Sequence, residues 1–298
     1  RAGLSVSTSR VGTTPVTAVE RPGAEGPFVV VAHGFAGSRQ MMLGYAVPLA
    51  KAGYRVRIFD FLGHGRNTAP MTGDVNSVTG TTERLVQQTE AVLDALPETG
   101  SPVALLGHSM ATDILVRVAE RDDRTGPLVL VSAFSQQIDG MHPRALLLVS
   151  GAWEPGLRGF ALEAVRMVQP GAEEGEIVTA DGVTRRAVVA PFTEHVSVLH
   201  SRAGRRAAVN WLDRSYSRQS DVRVPPTGWA ILALLGGLVV LFGPVSRLLP
   251  AHDVPAAALS GRQVALAAVA PAVLAPLIAV PLSPSLLPVL IADYLVLH

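Results

Sequence analysis

The strongest chemical signal in the chain is Leu105-Leu106-Gly107-His108-Ser109-Met110-Ala111. An apolar run, residues 103–106, ends in a glycine. Gly-x-Ser-x-small follows, and then Ile114, Leu115, Val118 and Ala119 recur at helical spacing. Strand, sharp turn and helix put a serine at the apex of the turn, where its Oγ stands over the end of a sheet and small neighbours keep clear of it. Such a serine can attack an acyl carbon and hold the acyl group as an ester. Its hydroxyl does not ionise near neutral pH, so the chemistry needs a base within hydrogen-bond reach and a group that orients the base. The last position is Ala111 rather than glycine. Taken alone, Gly-x-Ser-x-Ala fits an ordinary strand-to-helix turn equally well, and the flanking context gives it meaning.

Composition narrows the remaining choices. The 298 residues are 48% hydrophobic, with a mean hydropathy of +0.34, which is greasy for a wholly soluble chain. A net charge of +1 calls for no polyanionic partner, and without a nucleic-acid-binding motif a nucleic-acid partner is discarded. There is no cysteine, hence no disulfide, no thiolate nucleophile and no cysteine-based metal site; neither a cofactor nor a metal is expected. The basic residues are 24 Arg and one Lys, a usage that points to a GC-rich, bacterial genome. The chain starts at Arg1 rather than Met and stops inside an apolar stretch at His298, as expected of a piece of a longer protein.

The elements that would position the serine follow from periodicity. Residues 4–20, rich in Ser, Thr and Val around Gly12-Thr13-Thr14, read as two short antiparallel strands. Residues 28–32 are a continuous apolar run, as expected of a strand buried on both faces of a parallel sheet; residues 56–60 read as the next strand, and 128–133 and 145–150 as two more of the buried type. Met41, Met42, Tyr45 and Leu49 keep helical spacing, with Pro48 an expected irregularity; Leu85, Val86, Thr89, Val92, Leu93 and Leu96 share one face of a helix over 82–96. Asp181-Gly182 predicts a hairpin turn before a last strand at 186–190, and residues 203–212 close with a helix. Strands alternating with helices predict an α/β fold with a mainly parallel sheet.

Three ordered motifs give the chain a resemblance to the α/β-hydrolase superfamily over residues 4–214: Val30-Val31-Ala32-His33-Gly34-Phe35, Phe59-Asp60-Phe61-Leu62-Gly63-His64-Gly65-Arg66, and Leu106-Gly107-His108-Ser109-Met110-Ala111. Each is common, whereas their order and spacing are specific. The resemblance implies a serine esterase or lipase-like enzyme with Ser109 as nucleophile, followed in the chain by an acid and then a histidine. It implies that His33 and His64 shape loops, and that His108, inside the sharp turn at 107–111 that the family uses as its nucleophile elbow, points elsewhere. Of the eight histidines, His195, directly after the last strand, is the expected base, with His200 the alternative. The family's Gly-x-x-Asp-Pro pattern falls on Gly151-Ala152-Trp153-Glu154-Pro155, which makes Glu154 the expected acid; Asp139, one strand earlier, is the alternative. The backbone N–H groups of Met110 and Phe35 would receive the oxyanion. The connection between residues 133 and 145 is too short for the helical lid that many lipases of the family insert. The site is therefore expected to be open, bounded by loops at 36–39 and 68–78.

Past residue 214 the composition changes. The stretch 224–246 carries no charge, holds Trp229 where an interface residue is expected and meets the ~20 residues a bilayer span requires. The expected organisation is a hydrolase domain over 1–222 and a transmembrane region over 223–298. Its spans would be 226–246 and 263–282, with a third truncated at 298. Arg205, Arg206, Arg214, Arg218 and Arg223 before the first span, against Arg247 and Arg262 after it, put the catalytic domain on the cytoplasmic side of the cell membrane. Two function classes follow. One is a membrane-anchored serine hydrolase acting on a small-molecule or lipid ester or thioester, or an acyltransferase using the same residues. The other is a membrane protein whose hydrolase-like half binds or regulates without catalysis.

Overall fold

The structure, a computed structural model, describes residues 3–71, 78–248 and 260–282. They divide into two compact units, one running to Leu234 and the other from Leu235 onward.

The first unit is built on a nine-stranded sheet in the order β1-β2-β4-β3-β5-β6-β7-β9-β8. The strands are β1 (Ser5–Val11), β2 (Thr14–Glu20), β3 (Phe28–Ala32), β4 (Arg55–Phe59), β5 (Val103–His108), β6 (Thr125–Val131), β7 (Ala145–Gly151), β8 (Ile177–Ala180) and β9 (Val183–Ala190). The run from β4 through β9 is parallel. The hairpins β1–β2 and β8–β9 extend it antiparallel at the two edges. The expected turns at Gly12-Thr13 and Asp181-Gly182 are present, with both glycines at positive φ.

Alternation along each central strand sends successive side chains to opposite faces, and both faces are covered. On one face Val30, Leu105, Leu128 and Leu148 pack under α2 (Glu83–Asp94), α3 (Met110–Arg121) and α4 (Pro155–Arg166). On the other, Val31, Leu106, Val129 and Val149 pack under α1 (Leu43–Lys51) and α5 (Arg202–Ser215). Pro48 lies inside α1 without ending it. α4 was not foreseen: the sequence reading leaves residues 155–175 without an element.

The end of α5 is tied to distant parts of the sheet. The Tyr54 hydroxyl donates to Asp213 Oδ1 at 2.8 Å, and the Tyr216 hydroxyl donates to the Pro102 carbonyl at 2.7 Å. Arg218 reaches the Ala52 carbonyl at 3.2 Å and lies over the Tyr54 ring. The unit also takes in residues 223–234, which the sequence reading gave to the membrane region. Arg205, buried in α5, donates to the Pro225 carbonyl at 2.7 Å.

α6 (Thr227–Ser246) has a mean hydropathy of 2.1 over its most apolar 18-residue window and buries none of that window. Among the described residues it is the one helix long and apolar enough to cross a membrane. α7 (Gly261–Leu282) follows, where the second span was expected. The expected third span and most of the 247–262 loop lie outside the described residues, as does part of the 68–78 loop.

Candidate active site

The site stands at the C-terminal ends of β5, β7 and β9. β5 delivers Ser109, whose backbone sits at φ 52 and ψ −121 before α3 begins at Met110. A non-glycine residue held there costs roughly 1–3 kcal/mol and persists only where its surroundings enforce it. The surroundings are tight. A Cβ on Gly107 would sit 2.8 Å from Leu115 Cδ1, and one on Gly34 would sit 2.9 Å from Ser109 Cβ. Ala111, the departure from glycine, is fully buried on the core-facing side of α3, so its methyl is accommodated.

Three of the expected residues meet in one hydrogen-bonded chain. His195 Nε2 lies 2.8 Å from Ser109 Oγ, and His195 Nδ1 lies 2.6 Å from Glu154 Oε1. A carboxylate only accepts, so the ring proton sits on Nδ1, which leaves the Nε2 lone pair facing the serine hydroxyl. Glu154 is buried, and its other oxygen accepts from Ser132 Oγ at 2.8 Å and from the Gly151 N–H at 2.6 Å. The glycine at 151 is required: a Cβ there would meet Thr193 O at 2.5 Å and Glu154 Oε2 at 2.9 Å. Pro155, first residue of α4, starts the helix directly behind the carboxylate.

The loop that carries His195 is braced from both sides. Trp153 N–H donates to Thr193 O at 3.0 Å, and Glu194 accepts from the Val196 and Ser197 N–H groups at 2.9 and 2.7 Å. The third brace is His108, whose Nε2 lies 2.7 Å from the His195 carbonyl. A carbonyl can only accept, so His108 Nε2 carries the proton. The side chain does turn away from the serine, as expected, but it lands on the backbone of His195.

The backbone N–H of Met110 is in the first turn of α3, where helical amides have no intrahelical acceptor. Among the described residues neither it nor the Phe35 N–H donates to a protein acceptor. The Phe35 loop is fixed by Asp60, which accepts from the Arg39 N–H at 2.7 Å, from the Arg66 N–H at 3.0 Å and from the Arg39 guanidinium. His33 Nε2 accepts from the Phe61 N–H at 3.1 Å, so its Nδ1–H donates to Gly34 O at 2.7 Å. His33 and Asp60 thus join the two loops that precede the serine in the chain.

The alternative residues are occupied elsewhere. Asp139 is exposed, and its Oδ1 accepts from the Met141 and His142 N–H groups at 2.7 Å each, which holds its carboxyl below the usual range. His200, in a short helical turn at Ser197–His200, is not part of the Ser109 chain; burial, helped by nearby Arg205, lowers its pKa. Missing from the sequence reading were Ser132, the brace His108 and the Asp60–Arg39 pair. A histidine beside Ser109 is visible in the sequence, but its partner is 87 residues away.

Burial sets a pH limit on this arrangement. It pushes both His33 and His108 down to about 4 from 6.5, against the raising effect of their backbone hydrogen bonds. The unfolded chain takes up these protons near pH 6.5 and the folded one only near 4. Stability is therefore complete above pH 6.5 and falls as the pH drops towards 4, by up to about 3 kcal/mol per histidine. The thermal midpoint is expected to fall across that window, and His108→Gln, which keeps a donor, is expected to flatten the fall. A wild-type midpoint that stays level to pH 4.5 would contradict the assignment of neutral buried rings.

Comparison with known proteins agrees with this architecture. Residues 27–165 match a family model described as the alpha/beta hydrolase fold, a segment that holds Ser109 and Glu154 and stops before His195. No curated protein matches the sequence. The crystal structure of a predicted CIB-like hydrolase from Thermoplasma acidophilum superposes with a TM-score of 0.54 at 16% identity, covering 71% of this chain and 98% of that one. An epoxide hydrolase from Vigna radiata is 23% identical over 44% of this chain, with a TM-score of 0.36; the chain spans 41% of its length. A laboratory-evolved potato epoxide hydrolase is similar at 23% identity, 46% and 42% coverage, and a TM-score of 0.38. The sheet order, the elbow after β5 and the matched segment together give the first unit of this chain the α/β-hydrolase fold.

Proposed function

We propose that the protein is a serine hydrolase that cleaves carboxylic esters or thioesters through an acyl-enzyme intermediate and is held at a membrane by α6. The observation that carries the reading is the unbroken chain from Ser109 Oγ through His195 to Glu154, at 2.8 and 2.6 Å. In this reading His195 Nε2 takes the serine proton as Oγ attacks the acyl carbon. The Met110 and Phe35 N–H groups receive the developing oxyanion. His195 then gives the proton to the leaving alcohol or thiol, and the buried carboxylate of Glu154 stabilises the imidazolium throughout. A water activated by the same histidine releases the acid. Transfer to another alcohol would use the same residues. Hydrolysis is favoured by a connection between β6 and β7 that carries no helix over the site.

A fluorophosphonate probe tests the reading on the full chain in membranes. Labelling that disappears in Ser109→Ala is the expected result; a wild-type chain that stays unlabelled would favour a non-catalytic binding module. The cytoplasmic placement rests on fewer charges than the sequence alone suggests, because Arg205 and Arg218 are bound within the sheet-bearing unit. Arg206, Arg214 and Arg223 still outnumber Arg247 and Arg262. Protection of that unit from protease added outside intact cells is the corresponding test.

A further inference from the structure

The first turns of α6 border a cleft of about 830 Å³ within the sheet-bearing unit. Its walls are Phe192 on the loop before His195 and Trp229, Ile231 and Leu232 on α6. That volume falls in the range of about 300–1,000 Å³ typical of small-molecule sites. The polar lining has one sign: Arg202 and Arg206 line the cleft and no Asp or Glu does. Both arginines are exposed, and among the described residues neither guanidinium makes a hydrogen bond or ion pair.

Their position makes the charge more telling. Arg202 is the first residue of α5, capped by Ser201, and Arg206 lies one turn on, on the same face. Two like charges four residues apart oppose each other. Arg202 also sits at the helix end where the backbone dipole is itself positive and favours anions. The arrangement is unfavourable without a counter-charge and suits a phosphate, which guanidinium groups bind through paired hydrogen bonds. Trp229, 74% exposed, is the residue type that settles at the headgroup level, and it stands where the uncharged stretch of α6 begins. An apolar cleft beside an unpaired cationic pair, at the depth where a chain would enter a bilayer, fits one ligand chemistry at both ends.

We propose that this cleft binds an anionic phospholipid of the bilayer, with an acyl chain between Phe192 and the Trp229–Leu232 face of α6 and the phosphate on Arg202 and Arg206. The inference rests on α6 lying in a membrane and not on the chemistry of Ser109. It adds a consequence for the site, because Phe192, at φ 56, is three residues from His195. A lipid in the cleft would brace the loop that carries the base.

The test uses the full chain in non-ionic detergent, mixed with equal amounts of phosphatidylglycerol and phosphatidylcholine. Retained lipid is counted by mass spectrometry after gel filtration. Wild type is expected to retain the anionic lipid at least about tenfold over the neutral one. Arg202→Gln/Arg206→Gln is expected to bring the ratio near one, whereas Arg10→Gln/Arg84→Gln, with the same loss of charge, is expected to leave it high. A wild-type ratio near one, or a ratio that both double variants lower equally, overturns the site. Carbonate extraction of membranes separates the two readings. Release of the chain removes both the anchor and the lipid site, while retention with a ratio near one removes the lipid site alone.

Discussion

Replacing Ser109 with alanine is expected to lower the turnover of short-chain p-nitrophenyl esters by about 10⁶-fold, to the level of background hydrolysis. Losses of that order follow removal of the nucleophile in a well-studied serine hydrolase. The hydroxyl is the atom His195 Nε2 faces at 2.8 Å, whereas the other hydroxyl of that chain, Ser132 Oγ, is bonded to Glu154 Oε2 and not to the imidazole. Folding should be unaffected, because Oγ donates no bond on which the elbow depends. Ser109 is held through its backbone, with its N–H on Val131 O at 2.9 Å and its carbonyl accepting from Thr112. Purified variant with native thermal stability and residual turnover close to wild type would remove Ser109 from the chemistry.

Glu154→Gln is expected to lower kcat by about 10⁴-fold, or about 5 kcal/mol of transition-state stabilisation. The reason is the count of donors and acceptors. Oε2 is fixed by the Ser132 hydroxyl and the Gly151 N–H, so a glutamine keeps its carbonyl oxygen there and turns its NH₂ toward His195 Nδ1. Nδ1 must then accept, the ring proton moves to Nε2, and the base presents N–H where it should present a lone pair. Asp139→Asn, an exposed side chain whose Oδ1 accepts from the Met141 and His142 N–H groups and makes no bond to His195, is expected to leave kcat within about twofold. If the two variants exchange effects, the acid lies one strand earlier than the hydrogen bonds imply.

The parts of the fold that were legible in the sequence are those governed by local periodicity. The runs 28–32, 103–106 and 145–150 are apolar because both faces of the sheet are covered, and that pattern survives without knowledge of any partner. The elbow was legible because its strand, glycine and helix are contiguous. The helix α4 was not: Pro155, Gly156 and Gly159 weaken helix propensity, and only Ala161, Ala164 and Val165 are buried, too few to draw a stripe. Arg185 was read past for a different reason. It is fully buried inside β9, where its guanidinium donates to the carbonyls of Ala164, Asp139, His142 and Pro143. A charge in a strand looks solvent-facing until the loop that wraps it is known. The same holds for Asp60 and His108, whose partners are set by tertiary structure alone.

The clamp that Tyr54, Tyr216 and Arg218 make between α5 and the sheet also has a meaning in time. Its last member, Arg218, lies just ahead of α6, so the ribosome delivers the residues that fasten α5 to the sheet immediately before those of the helix long and apolar enough to cross a bilayer. At about 5–20 residues per second, synthesis of the 20-residue α6 takes roughly one to four seconds. Folding of a largely parallel sheet, whose pairings span long stretches of chain, is slow by nature. Closure of the sheet and delivery of α6 can therefore overlap, and a chain whose α6 entered a membrane early would complete the candidate site afterwards.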